Sequence, residues 1–167
     1  MTTPSDGLSR ARDAAQARGL EVSFRERPAA HSLPEAAELL GIRPADIVKT
    51  LVVKRSDDTY LFALVPGDRV ISWPKLRAVV GVNKLRLPDA EHAFAATGYA
   101  RGTIVPIGST VDWPVFADER IRGKRIAMGA GAPGYSLFVD ADALIAAYGA
   151  TVADISVAEP PPGAPLS

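Results

Sequence analysis

The sequence predicts an α+β protein: a curved, barrel-like mixed β-sheet flanked by short helices. Two observations carry this expectation. Many short apolar segments of strand character are interrupted by short, well-capped helical segments. These do not alternate as strand–helix–strand units, and no internal repeat is visible.

The elements follow in order. Ser5 to Arg18 places Leu8, Ala11, Ala15 and Arg18 at helical spacing and stops at Gly19. Val22 and Phe24 alternate with polar residues as a short strand. Ser32-Leu33-Pro34-Glu35 is a capping box with proline in the first turn, opening a helix that ends at Gly41. Ile47 to Lys54 and Tyr60 to Val65 form a hairpin around Asp57-Asp58. After the Pro66-Gly67-Asp68 turn, Ser72 caps a helix from Trp73 to Val80, closed by Gly81. Val82 to Leu87 is expected as a strand, and Asp89 starts a helix to Ala96. Tyr99 to Gly108 holds two glycines and a proline, so it is a loop. It is an apolar one, which must pack against something to satisfy its backbone. Val115 to Asp118, Lys124 to Met128 and Tyr135 to Val139 are strands, the last two joined by the glycine-rich turn Gly129 to Gly134. Asp142 is expected to cap a last helix to Tyr148, and Val152 to Val157 is a short finish. Residues 1–157 are thus expected as one domain, with 158–167 a proline-rich disordered tail.

Composition bounds the chemistry. The 167 residues are 47% apolar, enough for a real core in a single domain. No apolar run is long enough to span a membrane and the N-terminus lacks a signal-peptide core, so a cytoplasmic location without membrane contact is expected. With no cysteine, disulfides and thiolate chemistry are excluded. Two distant histidines without a close carboxylate spacing argue against a zinc enzyme; no metal and no cofactor are expected. Gly-x-Ser-x-Gly is absent, which removes the common serine-hydrolase arrangement. The glycines of 129–134 precede a strand, not a helix, so they are no dinucleotide site. Lys+Arg and Asp+Glu are both 19, unlike a general nucleic-acid coat protein. Charge is uneven, however: Arg120, Arg122, Lys124 and Arg125 cluster, and Lys75, Arg77, Lys84 and Arg86 form a looser group. Either group, by itself, also reads as solvated surface.

Two segments carry a resemblance. Ile47-Val48-Lys49-Thr50-Leu51-Val52-Val53 resembles the lysine-bearing strand of the YbaK/prolyl-tRNA-synthetase-associated domain family. Gly102-Thr103-Ile104-Val105-Pro106 resembles that family's Gly-x-x-x-Pro loop. The capped helix before Lys49, Val65-Pro66-Gly67-Asp68 and the 130–138 turn and strand lie in matching order, so the resemblance spans roughly residues 5–156. It implies an α+β fold with a pocket on one side of the sheet. The implied activity is hydrolysis of the ester between a wrong amino acid and the terminal adenosine of tRNA, by a freestanding, trans-acting member. The implied partners are the acceptor end of an aminoacyl-tRNA and an aminoacyl-tRNA synthetase. Carried over residue by residue, Lys49 holds the terminal adenosine or the carbonyl. The loop Gly102, Thr103, Ile104, Val105 and Pro106 positions the water and walls the pocket. His31, Tyr99, Arg101, Gly129, Gly131 and Ser136 are candidates for contact with the substrate, and Arg101 and the 120–125 cluster for contact with phosphates.

The chemistry suits these residues. An aminoacyl ester is activated, so orientation of ester and water, with donors aimed at the developing oxyanion, supplies much of the rate. Read from the residues alone, Lys49 is equally an exposed lysine at a strand start; the resemblance assigns it function. The chain departs from members acting on Cys-tRNA(Pro) at Val105, where those have serine, and at Gly129 and Ser136, where they carry serine and aspartate. The amino acid cleared is therefore left open. So are two other readings: a non-catalytic acceptor-end or small-ligand binding module, and a hydrolase of other small esters or acyl-adenylates.

Overall fold

The structure, a computed structural model, describes residues 4–56 and 58–160. Helix α1 (Pro4–Ala17) leads into β1 (Val22–Glu26), α2 (Leu33–Leu40) and a 3-10 turn at Pro44–Asp46. Strands β2 (Val48–Lys54), β3 (Tyr60–Pro66) and β4 (Arg69–Ile71) precede α3 (Trp73–Val80) and α4 (Ala90–Thr97). Then come β5 (Val115–Asp118), β6 (Arg125–Gly129), β7 (Tyr135–Asp140), α5 (Ala141–Tyr148), β8 (Thr151–Ala153) and β9 (Ser156–Ala158).

The class is α+β with mixed pairing, as expected. One sheet runs β2-β3-β5-β8, with β2 antiparallel to β3 and the two later pairs parallel. A second runs β1-β7-β6, all antiparallel, and a single parallel bridge from Ile47 to Ala127 links it to the first. Strands β4 and β9 pair as a small ribbon. Barrel-like closure is not seen among the described residues: no ladder joins the outer strands β8 and β1. Strand β3 is buried on both faces, which accounts for its unbroken apolar sequence. Phe62 and Leu64 join the main core with Val48 and Val52, while Leu61, Ala63 and Val65 join a second core with Val53 and Leu76.

Local chemistry sets the helix ends. Ser32 Oγ accepts from the Glu35 N–H (3.2 Å), and Gly41 closes α2 at φ 72°. Ser72 and Asp89 cap α3 and α4 the same way. Helix α5 starts earlier than expected. Asp140, still extended at the end of β7, accepts from the Ala143 N–H (2.9 Å), whereas the Asp142 carboxylate accepts from the Gly123 N–H (3.1 Å). Residues 82–87 form no strand. They meet β2 only where Arg86 and Lys54 exchange N–H···O bonds (2.8 and 3.2 Å), and Leu87-Pro88 then turns away as a wall. The finish at 152–157 is two strands, and Ala158, placed in the tail by the sequence, pairs with Arg69 as the last residue of β9. Residues 161–167 of that tail lie outside the described residues. Among the described residues no helix is long and apolar enough to cross a membrane.

The buried Asp118 carboxylate ties these parts together. It accepts from the Ile155 N–H (3.1 Å), Ser156 Oγ (2.7 Å) and the Arg120 guanidinium (3.2 Å). Thus β5, β9 and the turn after β5 share one charge-assisted network.

Candidate active site

A slot of about 410 Å³ opens along the free edge of β2. Its walls are Ile47 and β2 as far as Val52, the ends of α2 (Leu33 and Leu40), Leu87-Pro88, the loop residues Arg101, Gly102 and Ile104, and Met128-Gly129 with Ser136 across the β6–β7 pair. That volume lies in the range, ~300–1,000 Å³, that holds a small ligand.

Hydrogen-bond phase explains why this edge is chemically rich. The Gly67 N–H donates to the Ile47 carbonyl (2.7 Å) and the Arg55 N–H to the Thr59 carbonyl (2.9 Å). Odd-numbered residues of β2 therefore point their main-chain groups at β3. Even-numbered ones point them outward. The Ile47–Ala127 bridge closes one end of that outer edge and the Lys54–Arg86 bonds close the other. Between them, the N–H and C=O groups of Thr50 and Val52 face the slot, and no ladder or bridge pairs them there among the described residues. The Thr50 hydroxyl is buried and also without a partner. A stretch of unpaired strand edge in a concave site is a template for an amide- or ester-like ligand.

Six of the twelve residues proposed from the sequence line this slot: Lys49, Arg101, Gly102, Ile104, Gly129 and Ser136. Lys49 is half-buried at the rim, and its ammonium donates to the Arg69 carbonyl in β4. Two ammonium protons remain for another acceptor. Burial pushes its pKa below the ordinary lysine value, partly offset by Glu159 and Asp68. The Arg101 guanidinium donates to the Pro88 carbonyl (3.0 Å), joining the loop to the opposite wall at the mouth. Ser136 Oγ accepts from Arg27 (3.2 Å). Among the described residues no His, Asp or Glu lines the slot, so the formal charges described there are those of Lys49 and Arg101.

The other six stand elsewhere. Thr103, Val105 and Pro106 are buried behind the loop surface. Thr103 Oγ1 and N–H both donate to the Ala100 carbonyl (2.7 and 2.9 Å), and its own carbonyl accepts from the Gly131 N–H (2.9 Å). These bonds brace the loop where Gly102 takes φ 91°. Tyr99 is 1% exposed; its phenol, pushed up to about 12 by burial, donates to the Ile107 carbonyl (2.8 Å). The Arg10 guanidinium stacks on the Tyr99 ring (4.3 Å) and donates to the Gly108 carbonyl (2.7 Å). Gly131 (φ 83°) lies against the Gly7 carbonyl of α1. His31 is exposed before α2, where its N–H donates to the Glu35 carboxylate (3.4 Å). Sequence reasoning missed the lining residues Leu33, Leu40, Thr50, Leu87, Pro88 and Met128. Thr50, a hydroxyl beside Lys49 at the head of the apolar run Leu51-Val52-Val53, was the one available signal.

The aminoacyl-tRNA editing domain model matches residues 27–147, which include every lining residue of the slot. The chain belongs to the aminoacyl-tRNA editing domain family. Among curated proteins, this editing domain is 41% identical over 121 residues to a proline–tRNA ligase of Shouchella clausii, covering 72% of the chain and 21% of that protein. The chain thus spans about a fifth of the length of that synthetase. It is 30% identical over 129 residues to the "Putative Cys-tRNA(Pro)/Cys-tRNA(Cys) deacylase EbsC" of Enterococcus faecalis, covering 77% of the chain and 79% of that protein. Among solved structures, the "Crystal structure of a putative trans-editing enzyme for prolyl tRNA synthetase" superposes with a TM-score of 0.81 at 30% identity, over 94% of this chain and 99% of that one.

Proposed function

We propose that this editing domain hydrolyses the ester of a mischarged aminoacyl-tRNA, acting in trans, with water as the nucleophile. The observation that carries it is the slot: unpaired main-chain N–H and C=O groups on β2, two cations at the rim, and no carboxylate, imidazole or thiol among its lining residues. Likeness to the deacylase over most of both chains supports the trans-acting reading. The amino acid lies against Leu33, Leu40, Val52, Ile104 and Met128, with its ester along the edge of β2. Water adds to the ester carbonyl, and the oxyanion is stabilised by N–H donors and the Lys49 ammonium. The bond to the ribose oxygen then breaks. That oxygen takes up the proton that the attacking water gives up, and free amino acid and tRNA leave. Lys49, Gly102 and Ile104 touch the reacting atoms. Thr103, Val105, Pro106 and Tyr99 position the loop, Gly129 sets its distance, and Arg101 meets the terminal phosphate.

The test is deacylation of tRNA(Pro) and tRNA(Ala) charged with Cys, Ala, Ser or Pro. Turnover of one mischarged species confirms the reading and names the substrate. No turnover across the panel, together with measurable tRNA binding, replaces it with a non-catalytic acceptor-end binding module.

A further inference from the structure

Beside the slot, a second concavity of about 450 Å³ is lined by Arg55, Arg77, Asn83, Lys84, Leu85 and Arg86. Its four cations come from three parts of the chain: the hairpin after β2, the last turn of α3, and the segment that follows it. Among the described residues no carboxylate lies within ion-pairing distance of any of the four. Other cations are spent internally. Lys75 pairs with Asp154 (2.8 Å), Arg120 with both Asp154 (2.9 Å) and Asp118 (3.2 Å), and Lys124 with Asp46 (3.6 Å). Arg125 donates to Ser23 (2.8 Å). The adjacent cluster at 120–125, conspicuous in the sequence, is thus largely neutralised by its own neighbours, whereas the dispersed residues meet in a groove with no acid among its described residues. In a chain with as many acidic as basic residues, that concavity is a localised positive field.

The groove is also fixed to the slot. Arg86 lines it while its backbone is bonded to Lys54, the last residue of β2, and Leu87 and Pro88 line the slot. At most about 7 Å of chain separates Arg86 from Pro88. A ligand in both places carries its negative charge within a nucleotide or two of the group inside the slot.

We propose that this groove binds the phosphodiester backbone of the RNA stem whose aminoacylated end enters the slot; the proposal rests on the editing reading for the identity of the RNA. Arg55, Arg77, Lys84 and Arg86 contact phosphates, and Asn83 donates to a phosphate or ribose oxygen. These contacts place the RNA without reading its bases.

The test is binding of uncharged tRNA by the full chain, by filter retention across a range of KCl concentrations. It is paired with hydrolysis of a 3′-aminoacyl-adenosine that has no stem. For Arg77→Glu/Lys84→Glu, tRNA affinity is expected to fall at least ~10-fold, and the slope of log K against log salt to shrink by about 1–2. Hydrolysis of the stemless ester is expected to stay unchanged. Arg77→Gln/Lys84→Gln, which adds no repulsion, shows a smaller loss in the same direction and guards against misfolding. Unchanged affinity and slope in both variants, with wild-type circular dichroism, overturn the proposal. So does a loss found only in Arg122→Glu/Lys124→Glu, which puts the RNA on the other cluster. If the wild type hydrolyses no ester while the groove variants still lose tRNA, the editing reading fails and the groove stands.

Discussion

Replacing Gly129 by alanine tests whether the spacing of β6 and the loop sets the slot. A Cβ on Gly129 would lie 2.6 Å from the Ile104 carbonyl oxygen and 2.8 Å from that of Thr103. An ordinary contact needs about 3.4 Å, so backbone must separate by about 0.8 Å. Neither side yields cheaply: β6 is paired with β7 through Gly129 itself, and the Thr103 carbonyl holds the Gly131 N–H. The overpacking costs roughly 1–3 kcal/mol, and a displacement near 1 Å in a catalytic wall costs about 100-fold in rate. We expect kcat/KM on the mischarged substrate to fall about 100-fold and Tm to fall by roughly 2–12 °C. Gly134→Ala is the internal control. There φ is 81° and the nearest atom to the added Cβ is 3.8 Å away, so it is strained by roughly 1–2 kcal/mol but pushes on nothing. It should lower Tm and leave kcat/KM intact. Wild-type kcat/KM in Gly129→Ala, or equal activity losses in both variants, refutes the loop-spacing argument.

Three other substitutions probe separate terms. Lys49→Met should lower kcat/KM at least ~100-fold while changing stability by less than about 1 kcal/mol, because losing the bond to the Arg69 carbonyl is offset by relief of a buried charge; unaltered turnover removes Lys49 from the mechanism. Thr50→Val removes a buried hydroxyl without a partner, so it should stabilise by about 1 kcal/mol in thermal melts and cost about tenfold in kcat/KM; a lower Tm would show that the hydroxyl is satisfied in the free protein. The bonds from Lys75 and Arg120 hold the Asp154 carboxyl at about 2, below the ordinary 3.8. A depressed carboxylate contributes stability that is complete above its unfolded value and is lost as pH falls toward the folded one. Asp154→Asn should therefore flatten the pH dependence of the urea midpoint between about pH 4 and 2; identical slopes would contradict the pairing.

What was legible in the sequence was local or familiar. The caps at Ser32, Ser72 and Asp89 each depend on a side chain three residues before the N–H it binds, so the pattern is visible in the chain. At the start of α5 the same logic chose Asp142, and the structure has Asp140 as the cap. Asp140 prevailed over Asp142 because β7 ends there, a boundary set by pairing with β6. Strand character at 82–87 was misleading for a related reason: the β2 edge it would have covered is occupied by the slot. Strands β4 and β9, of three residues each, exist only through each other. In the slot, Lys49, Gly102, Ile104, Gly129 and Ser136 were reachable through their resemblance to known motifs. Leu33, Leu40 and Met128 read as ordinary core residues, since periodicity reports burial and not whether the buried face meets a cavity.

Charge shows the same limit with a functional consequence. Proximity along the chain suggested 120–125 as the contact for phosphates, yet a cation's field depends on what surrounds it in space. Asp154, Asp46 and Asp142 come from distant segments to join Asp118, two residues before Arg120, beside that cluster, while folding gathers Arg55, Arg77, Lys84 and Arg86 where no described carboxylate follows. If the proposed editing function and RNA groove hold, the molecule separates two tasks. Long-range attraction belongs to the groove, where it is sensitive to salt and indifferent to the amino acid. Discrimination belongs to the slot, where the groups of Thr50 and Val52 must find partners once water is excluded. A substrate that leaves one of them unpaired forfeits more than a methylene's worth of contact, about 1–3 kcal/mol, so on the proposed function selection among similar small amino acids falls to the edge of β2 and not to the RNA.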